Sequence, residues 1–177
     1  MIGYVCKYTP VEVFEAMGVE ITRIQPEVTN FNQADTLMHP NICSFTKSVL
    51  EDVLAGDYEG VVLTTCCDSI RRLYDVLKQQ CPDKFLYLLD VPRKVNDFST
   101  EMYRKNILDM VHAYEAFSGK TFDETVLKQL LKRREAGQNL RTAPKNKASV
   151  HIGLMGARCS KGIIDLLENR GVDILFD

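Results

Sequence analysis

The stretch Val61-Val62-Leu63-Thr64-Thr65-Cys66-Cys67-Asp68-Ser69 decides the fold of this chain. Its first five residues form a short apolar and β-branched run after turn residues at 56–60, which predicts a buried strand. A helix is predicted directly after it, because Asp68 and Ser69 favour helix N-termini and apolar residues then recur at helical spacing. A buried strand that leads straight into a helix is typical of α/β domains.

The alternation of strands and helices continues along the chain. Further strands are predicted at 85–89, 150–155 and 172–176, and two helices are predicted between the second and third strands. The second of these helices begins at a capping-box pattern, 121–124. Because alternating strands and helices form parallel sheets, we expect an α/β fold with flanking helices and a helical insertion. The expected domains are 1–96 with the cysteine motifs, 97–147 as a helical segment and linker, and 148–177 as the start of a second α/β unit.

The composition places the chain among ordinary globular proteins. It has 177 residues, of which 45% are hydrophobic and 26% charged, so one domain or a domain with an appendage is expected. The net charge of -2 argues against non-specific nucleic-acid binding. No apolar run approaches the roughly 20 residues of a membrane span, and the first residues lack a secretory signal pattern. We therefore expect a cytoplasmic protein with neither nucleic acid nor membrane as its partner.

Six cysteines are many for a chain of this length: Cys6, Cys43, Cys66, Cys67, Cys81 and Cys159. An even number permits three disulfides, but a protein without a secretory signal folds where thiols stay reduced. Burial as small apolar side chains is an alternative for each of them. The adjacent pair of Cys66 and Cys67 differs from the others, because it follows a strand end, where ligands usually bind.

The cysteines near the strand end are candidates for binding a metal. Cys66 and Cys67 precede a predicted helix, whose free N–H groups and dipole stabilise a thiolate. Cys43 precedes a second helix, after the loop 39–42, and is expected at the same edge of the sheet. Their spacing matches no zinc pattern, and thiolates without paired histidines favour an iron–sulfur cluster over catalytic zinc.

Five ordered segments carry a family resemblance. They are Gly3-Tyr4-x-Cys6-x-Tyr8-x-Pro10-x-Glu12, His39-Pro40-Asn41-x-Cys43, Gly56-Asp57-Tyr58-x-Gly60, Cys67-Asp68-Ser69-x-Arg71-Arg72 and Leu89-Asp90-Val91-Pro92-Arg93. Together they resemble the 2-hydroxyacyl-CoA dehydratase D-component family, which includes benzoyl-CoA reductase subunits.

The resemblance implies a Rossmann-like α/β fold and a [4Fe-4S] cluster held by three cysteines per subunit. It also implies an ATP-dependent iron–sulfur activator protein that supplies one electron at low potential. The thioester carbonyl of an acyl-CoA substrate then becomes a ketyl radical anion, which can expel a neighbouring hydroxyl. The partner subunit would be a second dehydratase subunit or another copy of the chain.

Carried over by motif, Cys43 and Cys67 resemble the first two cluster ligands, with Cys66 as a possible substitute for Cys67. Glu12 and Ser44 lie in segments that correspond to the substrate pocket. The third ligand stays open, with Cys159 as one candidate at a different strand end.

Two alternatives to an acyl-CoA dehydratase or reductase subunit remain. One is a related reductase with a double-cubane cluster, which shares the motifs. The other is a cluster-free, non-catalytic module of the same family. Because family members are longer than this chain, the resemblance leaves open whether the chain alone is an enzyme.

Overall fold

The structure is a computed structural model that describes residues 1–27, 30–138, 150–154, 159 and 161–176. It divides into two compact units, Met1–Leu130 and Leu131–Asp177. The three-part division expected from the sequence stays a prediction.

The first unit alternates strands with helices along the chain. Its elements are β1 (Ile2–Tyr4), α1 (Val11–Ala16), β2 (Ile21–Arg23), α2 (Asn32–Leu37), α3 (Ser44–Ala55), β3 (Gly60–Thr64), α4 (Asp68–Gln80), β4 (Phe85–Leu89), α5 (Asp97–Ser118) and the first part of α6 (Glu124–Gln138). The predicted strands at β3 and β4 are therefore present. The sequence pattern did not identify β1 and β2, which have only three residues each.

The four strands of this unit form one parallel sheet in the order β2-β1-β3-β4. The strand β1 lies between β2 and β3, with Tyr4 opposite Arg23 on one side and Val62 on the other. The chain thus leaves β1 toward one edge of the sheet and returns to the other side of β1 at β3. This confirms the expected α/β fold with a parallel sheet and flanking helices, and it creates a topological switch point between β1 and β3.

The sheet separates two hydrophobic clusters, because successive strand residues point to opposite faces. Val61 and Leu63 pack in one cluster with buried residues of α3 and α4. Val62 packs in the other cluster with α1 and α5, where the ring of the fully buried Tyr114 lies edge-on to Phe14 at a centroid distance of 5.2 Å. The long helix α5 is therefore part of the core of this unit.

The segment 56–60 has a structural role in this packing. A Cβ atom at Gly60 would lie 2.4 Å from the backbone oxygen of Phe85, so only glycine permits the close pairing of β3 with β4 at this point. The ring of Tyr58 occupies the space beside Gly3 and Gly56, where added Cβ atoms would lie 3.0 and 2.7 Å from ring carbons. The Tyr58 hydroxyl donates to a carboxylate oxygen of Asp52 at 2.8 Å.

A buried carboxylate joins α2 to α3. Glu51 on α3 accepts hydrogen bonds from the backbone N–H groups of Gln33 and Ala34 at 2.8 and 2.9 Å. Both N–H groups belong to the first turn of α2, where backbone donors have no partner within the helix. Glu51 therefore replaces the missing side-chain cap at the start of α2.

Among the described residues, side-chain caps are present at the starts of α5 and α6. Asn96 precedes α5, and its side-chain oxygen accepts from the N–H of Ser99 at 2.8 Å. At the start of α6, Asp123 accepts from the N–H of Thr125 at 2.7 Å. The capping-box pattern correctly located this helix, but the cap is Asp123 rather than the first residue of the pattern.

The second unit contains the remainder of α6 together with β5 (Val150–Gly153), α7 (Lys161–Glu168) and β6 (Val172–Phe176). The two strands pair in parallel. Asp173 is buried, and its Oδ2 lies 3.4 Å from Nδ1 of His151 on the neighbouring strand. Residues 155–158, which the sequence assigns to a strand end and a turn into α7, lie outside the described residues. None of the helices in the described ranges has the length and apolar character to cross a membrane.

Candidate functional site

The carboxyl ends of β1 and β3 define the candidate site. In an open parallel sheet, ligands bind outside the carboxyl ends of the strands at the switch point. The loop after β1 begins at Val5 and includes Cys6, whereas the loop after β3 contains Cys66 and Cys67. Because β1 and β3 pair directly, these two loops are neighbours at this edge.

Cys43 is the residue immediately before α3, and its thiol is exposed. Its Sγ lies 3.2 Å from the hydroxyl oxygen of Thr46 in the first turn. Burial opposes ionisation of the thiol, but the Thr46 hydroxyl and N–H, the Ser69 hydroxyl and the Phe45 N–H outweigh this effect and lower the pKa of Cys43. A lowered pKa favours the thiolate, which is the form that binds metals.

The hydrogen bond with Ser69 that helps to lower the pKa of Cys43 also shows where Cys43 lies. Ser69 belongs to the first turn of α4, two residues after Cys67. The starts of α3 and α4 therefore lie together, and Cys43 and Cys67 occupy the same position relative to the two helices, directly before the first helical residue.

Cys66 and Cys67 are both exposed at the end of β3. Partial burial raises the pKa of the Cys66 thiol, and the neighbouring thiols of Cys67 and Cys6 raise it further. Three cysteine side chains are thus close enough to influence one another. The structure brings Cys66 and Cys67 to the edge where the sequence places them.

Cys6 is a site residue to which the sequence pattern gave no role. It is half-buried and lies two residues beyond the end of β1. Burial raises the pKa of the Tyr103 hydroxyl, and the charges of Cys6 and Glu12 add to that increase. Cys6 therefore lies near both Cys66 and Tyr103. A position two residues after a strand end would have pointed to Cys6 as a site residue, but the sequence pattern does not identify β1 as a strand.

The two predicted substrate residues lie on opposite faces of the sheet. Glu12 is half-buried in the first turn of α1, and its effect on the pKa of Tyr103 places it near the loop that carries Cys6. Ser44 is the exposed first residue of α3, directly after Cys43. Both residues belong to helix starts at the same edge, one beside Cys6 and the other beside Cys43.

Hydrogen bonds connect the ends of β3 and β4 beside the cysteines. The Thr65 hydroxyl donates to the carboxylate of Asp90 and accepts from the N–H of Val91 at 3.2 Å. The side chain of Asn106 on α5 donates to the backbone oxygen of Asp90 at 3.1 Å. These contacts fix the backbone directly before Cys66, so the position of the thiols rests on an ordered framework.

Within the described part of the chain, no three His, Cys, Asp or Glu side chains converge as ligands of a single metal ion. An iron–sulfur cluster would be held by cysteine thiolates. Free thiols at the starts of two helices, one with a lowered pKa, are donors that suit such a cluster. Cys81 ends α4 at its other end, and Cys159 belongs to the second unit.

Comparisons with known proteins agree on one family. The profile of the family described as "2-hydroxyglutaryl-CoA dehydratase, D-component" matches residues 6–151. The chain is 29% identical over 138 residues to the (R)-phenyllactyl-CoA dehydratase beta subunit of Clostridium sporogenes, which covers 73% of this chain and 36% of that protein. It is 25% identical over 138 residues to a benzoyl-CoA reductase subunit of Thauera aromatica, which covers 75% of this chain and 36% of that protein. The matched region thus spans about a third of these relatives.

Proposed function

The chain belongs to the 2-hydroxyglutaryl-CoA dehydratase D-component family, and from this premise we propose that it is an iron–sulfur subunit acting on acyl-CoA thioesters. The proposed reaction is radical dehydration of a 2-hydroxyacyl-CoA or reduction of a related acyl-CoA. The observation that carries the proposal is the pair of cysteines before α3 and α4, of which Cys43 has a lowered pKa.

Cys43 and Cys67 would hold a [4Fe-4S] cluster, with Cys66 as the neighbouring alternative to Cys67. When bound, such a cluster supplies a single electron at low potential. The helix starts contribute N–H groups and positive dipole ends, which stabilise the thiolates. Hydrogen bonds to the Thr46 and Ser69 hydroxyls lower the pKa of Cys43 and so favour its thiolate form.

Glu12 and Ser44 are the proposed contacts to the acyl-CoA. Ser44 lies beside Cys43, so a substrate held by its hydroxyl would lie close to the thiolates. Glu12 lies on the other face, near Tyr103, and is suited to accept a hydrogen bond from a substrate hydroxyl or amide.

We further propose that the chain works in the cytoplasm with a second dehydratase subunit, or with another copy of itself, and with an ATP-dependent iron–sulfur activator. Both relatives are subunits by name, one of a phenyllactyl-CoA dehydratase and the other of a benzoyl-CoA reductase. These names support a subunit arrangement, and the identity of the partners is part of the proposal.

A cluster-free module is the second candidate function. The observation in its favour is that no group of three metal ligands converges within the described ranges of the chain. In that case the exposed cysteines at the sheet edge would hold no metal, and the chain would contribute a binding surface rather than chemistry.

The experiment that separates these candidates begins with anaerobic purification of the chain and measurement of iron, acid-labile sulfide and visible absorption. A cluster-bearing subunit gives about four irons and four sulfides per chain with a broad absorption near the blue end of the spectrum. Phenyllactyl-CoA is then added to the reduced protein, with free CoA as the control. A change in the electron paramagnetic resonance spectrum with the thioester alone supports the proposed substrate class. Folded protein that takes up no iron after reconstitution contradicts the proposal and favours the module.

A further inference from the structure

We propose that Arg23 and Thr9 form a subsite for an anionic group of the ligand, a carboxylate or a phosphate, an inference that rests on the proposed function. Arg23 is the last residue of β2 and pairs in register with Tyr4, the last residue of β1. Because the two strands are parallel, Arg23 lies at the edge of the sheet where β1 also ends. Ligands of open parallel sheets bind outside this edge.

The register also shows which face of the sheet carries Arg23. Residues two apart on a strand point to the same face, and so do residues paired across neighbouring strands. Ile21 pairs with Ile2, and both pack in the hydrophobic cluster that contains residues of α1 and α5. Arg23 follows Ile21 by two residues and therefore points to the face of α1 and α5. Ile24, the next residue, packs in the cluster on the other face.

The guanidinium group of Arg23 is a donor without an acceptor. The residue is half-buried, and its Nε is shielded from solvent and has no hydrogen-bond partner among the residues that the structure describes. Within the same ranges, no ion pair joins it to a carboxylate. Two other partly buried cations of this unit do have acceptors. Lys47 lies 2.6 Å from an oxygen of Asp35, and Lys84 donates to the backbone oxygen of Tyr58 at 2.5 Å. A shielded charged donor is costly to leave unpaired, which indicates an acceptor supplied by a ligand.

Thr9 carries a second polar group without a partner. It is 4% exposed, and its hydroxyl oxygen makes no hydrogen bond in the described part of the chain. Thr9 follows β1 and directly precedes Pro10, at the start of α1. Because Val13 and Phe14 of α1 pack in the same cluster as Ile21, this turn belongs to the face to which Arg23 points.

The turn that carries Thr9 is held in a fixed position. The N–H of Thr9 donates to the backbone oxygen of Cys6 at 2.9 Å, which closes the turn. The hydroxyl of Tyr103 on α5 donates to the backbone oxygen of Tyr8 at 2.6 Å. The Thr9 hydroxyl is therefore presented by an ordered turn, which reduces the entropy lost when a ligand binds.

The two groups together suit an oxyanion. A guanidinium presents N–H donors in a planar fork that matches the oxygens of a carboxylate or a phosphate, and a hydroxyl donates one further hydrogen bond. In an acyl-CoA thioester, phosphates belong to the CoA, whereas a carboxylate belongs to the acyl chain of a dicarboxylic acid. The shared chemistry is an anionic oxygen acceptor, and the test separates these two sources.

The first test observes the Nε–H group of Arg23 in the full chain by ¹⁵N–¹H nuclear magnetic resonance, with its signal identified by its absence in Arg23→Gln. Glutarate and inorganic pyrophosphate are titrated separately, and at least one should move the Arg23 signal saturably. The signal of the exposed Arg104, which pairs with Glu101, should stay in place as an internal reference. If neither anion moves the Arg23 signal, the inference is wrong whatever the function of the chain.

The second test measures binding of glutaryl-CoA, butyryl-CoA and free CoA by isothermal titration calorimetry. Arg23→Gln should weaken binding of at least one of them about tenfold, because charge-assisted hydrogen bonds are lost, and Arg23→Lys should weaken it less. Thr9→Val conserves the shape of the side chain and should weaken the same ligand about threefold. Arg104→Gln is the control and should bind like wild type. A loss confined to glutaryl-CoA assigns the subsite to an acyl carboxylate, and equal losses for all three ligands assign it to the CoA phosphates.

The other outcomes separate this inference from the proposed function. If wild type binds the thioesters and Arg23→Gln binds them equally well, the subsite is refuted and the proposed function stands. If an anion moves the Arg23 signal but wild type binds none of the CoA compounds, the anion subsite is supported and the proposed function is contradicted. If the Arg23 signal moves in Glu12→Gln but not with added anions, the guanidinium pairs with Glu12 in solution, and the inference is wrong. Wild-type affinity in Thr9→Val would remove Thr9 from the subsite.

Discussion

The ionisation of the Cys43 thiol tests the site directly, because the hydroxyl of a single neighbour, Thr46, is a main cause of its lowered pKa. Thr46 is fully buried, and its hydroxyl lies 3.2 Å from the Cys43 sulfur. Thr46→Val removes this hydroxyl while conserving the shape of the side chain. The substitution should raise the pKa of Cys43, so less thiolate is present at neutral pH.

The size of the effect follows from the strength of one hydrogen bond to an ionised group. Such bonds contribute about 1.5–3 kcal/mol, and exposure of the Cys43 thiol to solvent reduces this to about 1 kcal/mol. Since about 1.36 kcal/mol corresponds to a tenfold ratio, the thiolate-to-thiol ratio should fall about fivefold below the titration midpoint. The observed alkylation rate should fall by a smaller factor, about two- to threefold, because a thiolate of higher pKa is a better nucleophile.

The assay follows alkylation of the apoprotein by iodoacetamide between about pH 6 and pH 10, with each cysteine quantified by peptide mass spectrometry. The midpoint of the Cys43 profile should move to higher pH in Thr46→Val, and at high pH, where both thiols are fully ionised, the variant should react about twofold faster than wild type. Cys81 in the same sample should keep its profile, and the exposed substitution Thr125→Val should leave Cys43 unchanged. An unaltered Cys43 midpoint in Thr46→Val would refute the claim that Thr46 stabilises the thiolate.

Three further predictions concern the framework that holds the site, each measured as the free energy of unfolding in urea. Glu51→Gln should lower the free energy of unfolding by about 1–2 kcal/mol, because the buried carboxylate accepts hydrogen bonds from two N–H groups at the start of α2. The control substitution Glu101→Gln, at an exposed position, should change it by less than about 0.5 kcal/mol. Equal losses in the two variants would contradict the capping role of Glu51. Gly60→Ala should lower the free energy of unfolding by about 1–3 kcal/mol, because the added carbon clashes with the backbone of Phe85. Gly162→Ala should not lower it, since nothing lies within 4 Å of the added carbon. An unchanged stability in Gly60→Ala would show that β3 and β4 can separate without loss. Burial and the carboxylate of Glu59 raise the pKa of Tyr114 to about 12, so the tyrosine loses its proton at lower pH in the unfolded state than in the folded state. The stability of the wild type should therefore fall between about pH 10 and pH 12, and that of Tyr114→Phe should fall less steeply. Equal dependence of stability on pH in the two proteins would exclude Tyr114 as the cause.

The sequence predicted those parts of the fold that have strong local signals. The runs at β3 and β4 are continuous and apolar, since helices cover both faces of this parallel sheet, and this pattern is visible without a structure. The strands β1 and β2 have three residues each, which is too short for any period to appear. These segments are strands because they pair with neighbouring strands, as β1 does with β3. Such long-range pairing cannot be recognised from a local sequence pattern.

The same difference explains which site residues could be predicted. Cys43 and Cys67 precede helices with clear apolar periodicity, so their places at helix starts followed from the sequence. The place of Cys6 at this edge of the sheet depends on recognising β1 and its pairing with β3, and that information is absent from the segment itself. The Ser69 hydroxyl reaches Cys43 only because α3 and α4 lie side by side on one face of the sheet.

The most direct test of the central claim is the iron and acid-labile sulfide content of anaerobically reconstituted Cys43→Ala and Cys67→Ala, measured beside wild type and Cys81→Ala. The account predicts about four irons per chain for wild type and Cys81→Ala, and less than about one for each of the two variants at the helix starts. Full iron content in both Cys43→Ala and Cys67→Ala would contradict it, because the cysteines before α3 and α4 would then not hold a cluster.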